Sequence, residues 1–562
     1  METRIWISKI EFNDRQKIKF DESDITVFVG PNNAGKSASL KEIANLLNRK
    51  NDKNIVVKDI NIEKEGDEAS LLTFIQSHSK KHFIGGNPEP NYLYCGIDIY
   101  AGSIRNHWEN YKNGLSELFA MFVIIINTEK RLNAADPAHN IRLTSDQPTH
   151  PIHFLQKSDE LEKRFSGYFC QAFGKDLIVH RNAGNEVPLY VGKRPILKDD
   201  EDRISESYLD KIEKLDKLQL QGDGMRSFAG VLLDAFISNY SILLIDEPEA
   251  FLHPPHARLM GKMLARDLPP GRQLFLATHS EDFLKGLLDA SKNNLNIIRI
   301  QRDGDINRVK VLTSTDIKEI WNDPILRHSN VLDGLFHSKV ILCESDSDCR
   351  FYSAILSAVN DGTGSISPDV LFMHCGGKDR MPIVIKSLKN LDVDIRVIAD
   401  FDVLNGTYPL RKIFEELGGT WTTIENDFNI VRKSIDGKKA ELETKELEKE
   451  IIAILGSCGR IVPEKEASAI RAAVGKASPW ANAKDGGKTF VPSGDATQAY
   501  ERVQIQLREN GLHIVEVGEL EGFCKSIGGH GPKWVNDVMA NKNLKDDTEL
   551  EPSRKFIQDV IS

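Results

Sequence analysis

Glu344 and Asp348 close the segment KVILCESDSD, and Asp400 and Asp402 close DIRVIADFD. Both segments are short, apolar and rich in β-branched residues, so both read as buried strands that end in acids. Strand ends in a parallel α/β sheet share one edge, so the four carboxylates are expected to converge there. Such a cluster repels itself unless a divalent cation neutralises it, and hard oxygen ligands suit Mg2+ or Mn2+. Taken singly, each acid reads as a solvated surface residue; the four together at strand ends read as a metal site. A metal there would activate a water for phosphodiester cleavage, and a second one roughly 3.5–4 Å away would stabilise the leaving oxygen. Two metals need more ligands than four acids easily provide. GELEGF offers Glu519 and Glu521, two apart on an expected strand and so on one face, and either could serve. Lys533, in HGPKW, could add positive charge at the transition state, or be a loop residue bonded to helix carbonyls.

A second chemistry lies far away in sequence. GPNNAGKS, residues 30–37, follows an apolar strand pattern and precedes a helix pattern, the context of a phosphate-binding loop. The turn through Gly30, Asn32, Asn33 and Gly35 lets backbone N–H groups wrap phosphates. Lys36 is expected to reach the β- and γ-phosphates of ATP, and Ser37 to hold Mg2+. SILLIDEPEAFLHPP supplies the other half: Asp246 ends a buried strand and binds Mg2+ through water, and Glu247 orients the attacking water. LFLATHS then brings His279 to the end of the next strand, where it can sense the γ-phosphate; the bland alternative is a core histidine.

Elements that position these residues can be read from periodicity. RIWISKIEF, KIKF and DITVFVG read as strands and SASLKEIANLLNR as a helix; YLYCGIDIY and MFVIIINTEK read as strands, and SESYLDKIEKLDKLQLQ as an amphipathic helix. From SFAGVLLDAFISN onward strands and helices alternate, an α/β pattern that recurs after a polar linker around 314–330. At 562 residues the chain is expected to hold at least two domains, residues 1–320 and 331–562. The first is expected to carry a mixed insertion at about 50–210 that serves dimerisation. The second is expected to carry a helical insertion at about 405–500, where DGKKAELETKELEKEIIAIL reads as a surface helical hairpin.

Composition narrows the class. Hydrophobic content of 40% and charged content of 28% are those of a soluble globular protein. A net charge of -10 gives no global sign of nucleic-acid binding and does not exclude a local basic groove. The seven cysteines form no CxxC pair, which fits reduced thiols in a cytoplasm. No apolar run reaches membrane-spanning length, and METRIWISKIEF lacks a signal-peptide pattern, so no membrane association is expected.

The order of nucleotide motifs resembles the ABC-type ATPase heads of the SMC and DNA-repair group. In that group a signature loop of a second subunit caps the phosphates, which implies an ATP-dependent head-to-head homodimer or a higher oligomer. The matching stretch is GDGMRS, residues 222–227, with Gly224 at its centre; it departs from the usual Leu-Ser-Gly-Gly-Gln. NTEKR, 127–131, stands where the group carries its Q-loop but has no Gln. Glu344, Asp348, Asp400 and Asp402 match the Toprim pattern, with Ser345 where Toprim domains usually have glycine. An ABC-type head followed by a Toprim domain resembles the OLD (overcoming lysogenization defect) nuclease family, most strongly at 4–47, 218–285, 335–402 and 512–536. The resemblance implies an α/β chain: a P-loop head with a mixed insertion, then a Rossmann-like Toprim domain with a helical insertion. It also implies ATP-regulated, metal-dependent DNA nicking or cleavage. In phage-defence members such as Gabija and some retrons it further implies a second protein, such as a helicase or a reverse transcriptase with its nucleic acid. The rival expectation is an SMC-like, nucleotide-switched DNA-binding scaffold with an inactive Toprim, acting only within a complex. A topoisomerase would need a nucleophilic Tyr in a DNA-gate domain, and no segment after the Toprim motif is large enough for one.

Overall fold

The computed structural model describes residues 3–562 except 51, 87, 95–96, 110–112, 145, 200, 291–293, 305, 313–320, 323–329, 362–367, 439–443 and 476–478. The chain divides into two compact units, Met1–Trp321 and Asn322–Ser562. The polar linker expected around 314–330 lies largely outside the described residues. Among the described residues no helix is long and apolar enough to cross a membrane.

The first unit is built on β1 (Arg4–Phe12), β2 (Lys17–Lys19), β3 (Ile25–Val29), β4 (Val57–Glu65), β5 (Val123–Ile126), β6 (Ile242–Asp246), β7 (Gln273–Ala277), β8 (Leu295–Asp303) and β9 (Ile306–Leu312). Six of them form one sheet in the order β9-β8-β3-β7-β6-β5, parallel except for the β8–β9 hairpin. ITVFV, ILLID and QLFLA are almost continuously buried, as central strands covered on both faces must be. In a smaller antiparallel sheet, β2-β1-β4, the long strand β1 alternates buried and half-buried positions because one face of the sheet is less covered than the other. Two strands inside the segment expected as an insertion at about 50–210 thus belong to the sheets of the first unit. β4 pairs with β1, and the apolar run VIII of β5 pairs with β6. The helix expected across SESYLDKIEKLDKLQLQ runs only over Glu206–Glu213, because Asp216 and Lys217 pair instead with Val191 and Tyr190.

Helices that matter for the first unit are α1 (Lys36–Leu47), the short α2 (Thr128–Asn133), α3 (Asp223–Leu232) and α4 (Pro254–Asp267). Pro254 and Pro255 open α4, where a missing backbone N–H costs nothing.

The second unit holds a four-stranded, all-parallel sheet of β10 (Lys339–Cys343), β11 (Val370–His374), β12 (Asp394–Ala399) and β13 (Leu512–Ile514) in the order β11-β10-β12-β13. Its crossovers include α5 (Asp346–Asn360) and α6 (Met381–Asn390). Between β12 and β13 lie α7 (Thr407–Glu416), α8 (Glu425–Asp436), a pair of helices at Thr444–Gly456 and Glu464–Gly475, α9 (Pro479–Gly486) and α10 (Asp495–Glu509). The Thr444–Gly456 helix buries no residue, which suits the surface hairpin read from its charge. After β13 come α11 (Gly531–Asn541) and α12 (Glu551–Ile561). Phe351, Tyr352, Phe523, Trp534 and Phe556 form an aromatic core that fastens these helices to the sheet. β10 and β12 are adjacent, so the residues that follow them emerge side by side.

Candidate functional site

The nucleotide motif forms the turn from β3 into α1. Gly30 (φ 144), Asn33 (φ 61) and Gly35 (φ 105) take left-handed backbone, which allows the loop to curl and aim its N–H groups inward. Asn32 and Asn33 are exposed. Lys36 is 4% exposed, and its Nζ donates to the carbonyls of Gly30 (2.7 Å) and Pro31 (2.8 Å), folded back over the loop it serves. Ser37 Oγ donates to Asp246 Oδ1 at 2.9 Å, so the two residues read as Mg2+ ligands from separate motifs meet. Burial raises the Asp246 carboxyl above the usual range, opposed by the Ser37 bond. His279 Nε2 lies 3.3 Å from Glu247 Oε1, and burial followed by the charge of Lys36 pushes the imidazole down. Glu249 is held by Thr278 Oγ1 (2.7 Å) and the His279 N–H (2.9 Å), which ties the Asp246 turn to the end of β7. Gly222 is the N-cap of α3, so Gly224 lies within the helix's first turn.

One residue of this unit escaped the motif reading. Arg131, on α2, is 0% exposed and donates from Nη1 to the carbonyls of Asp246 (2.9 Å) and Glu247 (2.6 Å). The segment without the usual Gln therefore still braces the Asp246–Glu247 turn, with a guanidinium.

In the second unit Glu344 leaves β10 while Asp400 and Asp402 leave β12. Carboxylate oxygens of Glu344, Asp400 and Asp402 lie within 4.8 Å of one another. Glu344 Oε1 accepts the Asp400 N–H at 3.2 Å. Burial, then the charges of Glu344 and Asp348, hold the Asp400 carboxyl well above the usual range, and burial raises Glu344 as well. Asp348 stands outside that trio. Its Oδ2 accepts from the N–H (2.8 Å) and hydroxyl (3.0 Å) of Ser345, a reciprocal cap at the start of α5. Its charge nevertheless reaches Asp400, and that of Glu521 reaches it in turn.

Glu519 and Glu521 are not on a strand. β13 ends at Ile514, Gly518 (φ 108) turns the chain, its carbonyl accepts the Phe401 N–H at 2.8 Å, and a 3-10 turn runs over Leu520–Phe523. Two-residue spacing therefore does not set their common face; the turn does. Both carboxylates come together with His530 within 4.8 Å, a second cluster able to hold an ion. Glu521 Oε1 also accepts the Gly531 N–H at 2.7 Å and so fixes the start of α11. Lys533 is exposed in the first turn of that helix rather than in a loop, and among the described residues no bond joins it to the acids.

Two lysines that sequence spacing did not single out touch the acids instead. Lys378, just past β11, lies 2.8 Å from Asp402 Oδ2. Lys484, on α9, lies 3.6 Å from Asp400 Oδ2 and 3.2 Å from Glu519 Oε2. Lys378 stood in a glycine-rich stretch just past a strand, and His530 in a glycine-rich loop ahead of a helix, a signal that could have marked them. Lys484 carried none. The donor set fits a hard divalent cation: every ligand atom in the first cluster is a carboxylate oxygen, and Asp402 Oδ1 is buried without a hydrogen-bond partner.

Comparison with known proteins matches a family model described as "AAA domain, putative AbiEii toxin, Type IV TA system" to residues 128–284. A model of the TOPRIM domain of overcoming lysogenization defect protein-like proteins matches residues 335–402. The Old nuclease of Escherichia phage P2 is 23% identical over 212 residues, 36% of this chain and 34% of that protein. The chain thus spans about a third of the length of that relative. An uncharacterized protein, MJECL11, of Methanocaldococcus jannaschii is 35% identical over 88 residues, 15% of this chain and 77% of that protein. Among solved structures, an SMC head bound to the C-terminal winged-helix domain of ScpA aligns with TM-score 0.35 at 14% identity, covering 56% of this chain and all 100% of that one. The SMC head domain from Thermotoga maritima aligns with TM-score 0.28 at 12% identity, covering 55% and 98%.

Proposed function

The chain belongs to the OLD family of ATPase–Toprim proteins, and from that premise we propose that it is a divalent-metal-dependent DNA endonuclease regulated by ATP. The observation that carries this reading is the meeting of Glu344, Asp400 and Asp402 beside a buried, unpartnered oxygen of Asp402. Glu344, Asp400 and Asp402 hold one Mg2+ or Mn2+, and Glu519 and Glu521, with His530, hold the other. Asp348 balances charge between them. Bound there, the cations supply Lewis acidity to phosphodiester hydrolysis. Lys533, exposed in the first turn of α11, would meet a phosphate oxygen. Ser345 and Gly531 fix Asp348 and Glu521, so the acids need little reorganisation when DNA enters.

Control lies with the nucleotide. ATP held by the 30–37 loop, Ser37 and Asp246, with Glu247 as the base and His279 beside it, favours one of two head arrangements, and hydrolysis resets it. The partner in that arrangement is a second copy, whose residues 222–227 complete the pocket. The family resemblance supports a place as the cutting component of a bacterial anti-phage system with a second protein.

The test is supercoiled plasmid incubated with the protein and Mn2+, with and without ATP. Wild type is expected to nick or linearise it, and Asp400→Ala to lose at least about 100-fold in rate, as loss of a metal ligand demands. Nicking by Asp400→Ala at the wild-type rate would mean that the acids are misassigned, and no nicking by wild type would leave the scaffold reading in its place. Lys36→Ala is expected to abolish nucleotide binding by equilibrium dialysis; full retention would remove ATP from the scheme.

A further inference from the structure

We propose that Lys484 is a built-in counter-cation of the acidic site, one that a divalent metal must displace. The inference rests on the metal-site reading above and adds a device that sets how readily the site loads. The Lys484 ammonium lies between Asp400 (3.6 Å) and Glu519 (3.2 Å), one acid from each candidate cluster. A single side chain therefore spans both metal positions.

Its place is set by backbone packing and not by a long side chain finding an acid by chance. Trp480 and Ala483 bury the inner face of α9, and Trp480 Nε1 donates to Asp436 Oδ1 at 2.8 Å. Past α9, the Lys488 N–H donates to the Glu516 carbonyl at 2.8 Å. Gly518 has no room for a side chain: a Cβ there would stand 1.9 Å from the Lys484 carbonyl oxygen. The same Gly518 carbonyl accepts the Phe401 N–H, the residue between Asp400 and Asp402. One short loop thus locks the helical insertion, the Asp400–Asp402 turn and the Glu519 carboxylate to each other, and Lys484 is what the insertion delivers.

Chemistry follows from the distances. Ligand oxygens approach Mg2+ or Mn2+ at about 2.0–2.2 Å, so an ion on Asp400 or Glu519 would sit against the ammonium. Like charges at that range repel strongly in a half-buried site. Either the metal stays out or the ammonium swings away; its side chain is 39% exposed, which leaves it a route. In the metal-free chain the lysine offsets the crowding of acids. In the loaded chain it is the group that has moved.

Mn2+ binding to the full chain, without nucleotide or DNA and read by the EPR signal of free Mn2+, tests this apart from cleavage. The binding lost in Asp400→Asn marks the acidic site. For that fraction Lys484→Gln is expected to bind roughly tenfold tighter than wild type, and Lys484→Arg to stay near wild type. Lys484→Met, which keeps the aliphatic stem, must reproduce the tightening. Unchanged or weaker binding in Lys484→Gln and Lys484→Met, with wild type binding normally, overturns the role of the lysine alone. Absence of Asp400-dependent Mn2+ binding in wild type overturns the metal-site reading and this inference with it.

Discussion

Arg131 shows how much one residue can hold. Its guanidinium is buried and braced electrostatically by Glu249, Glu247 and Asp246, and it donates to the carbonyls of the last two. Glu247 itself has φ 48, a left-handed conformation that costs a non-glycine residue about 1–2 kcal/mol. The arginine pins that strained peptide so that the Glu247 side chain faces His279. Arg131→Met keeps the volume and removes the bonds. It is expected to lower stability by about 1–3 kcal/mol, because the Asp246 carbonyl loses the Arg131 bond and the Glu247 carbonyl keeps only the Ala250 N–H. ATP turnover is expected to fall about 100-fold while nucleotide affinity changes much less. Turnover and dialysis measured on the same preparation check this; turnover near wild type would mean the strained turn holds without its brace. The meeting of Glu344, Asp400 and Asp402 was legible because each stands just past the strand that positions it, whereas Asp348, expected with them, lies in the first turn of α5 and outside the trio. Arg131 was not legible, because the carbonyls it serves lie 115 and 116 residues away.

At the scale of elements, the start of α5 resolves the departure from the usual Toprim glycine. Ser345 has φ -133 and ψ 166, extended backbone that any residue adopts. Instead of supplying a tight turn it caps the helix, with Asp348 bonding back to its N–H. Ser345→Ala is expected to lower stability by about 1 kcal/mol, and Ser345→Gly by only a few tenths. Because Ser345 also fixes the Asp348 carboxylate, Ser345→Ala should weaken Mn2+ binding modestly while leaving the Asp400-dependent site intact. Denaturant unfolding and Mn2+ titration check the two halves; an Ala variant as stable as wild type would show the cap to be idle. Strands read well from sequence wherever an apolar run was bounded by turn residues, as in ITVFV, ILLID and DIRVIA. Reading failed at GELEGF, where alternating acids imitate a strand but Gly518 has already broken it. It failed again at SESYLDKIEKLDKLQLQ, where a helical period continues past the point at which β-pairing takes the chain. Both failures are tertiary contacts overriding a local pattern.

Across the whole molecule, acid should weaken both units by way of histidines kept neutral. In the first unit burial, then the charge of His153, pushes His150 down to about 4; in the second, burial followed by Arg508, Arg396 and Lys339 pushes His513 down to about 4. His513 is 5% exposed on β13, the strand that leads to Glu519. An unfolded chain binds a proton at each imidazole near pH 6.5, whereas the folded one resists until about pH 4. Between those values the unfolded state holds more protons, so stability falls as pH falls. The stability is fully present above about pH 6.5, is lost progressively on the way to about pH 4, and changes no further below it. For His513 the loss is at most about 3.5 kcal/mol, since the folded imidazole takes its proton only near pH 4 and the unfolded one near pH 6.5. The acids around Asp400, raised by burial, act in the opposite direction, so wild type alone does not isolate the histidine. A difference does. Calorimetric melting of wild type and His513→Phe across pH 4 to 7 should give curves that separate steadily below about pH 6.5, with the Phe variant losing less Tm on acidification. Parallel curves would show that His513 is protonated in the folded chain as easily as in the unfolded one.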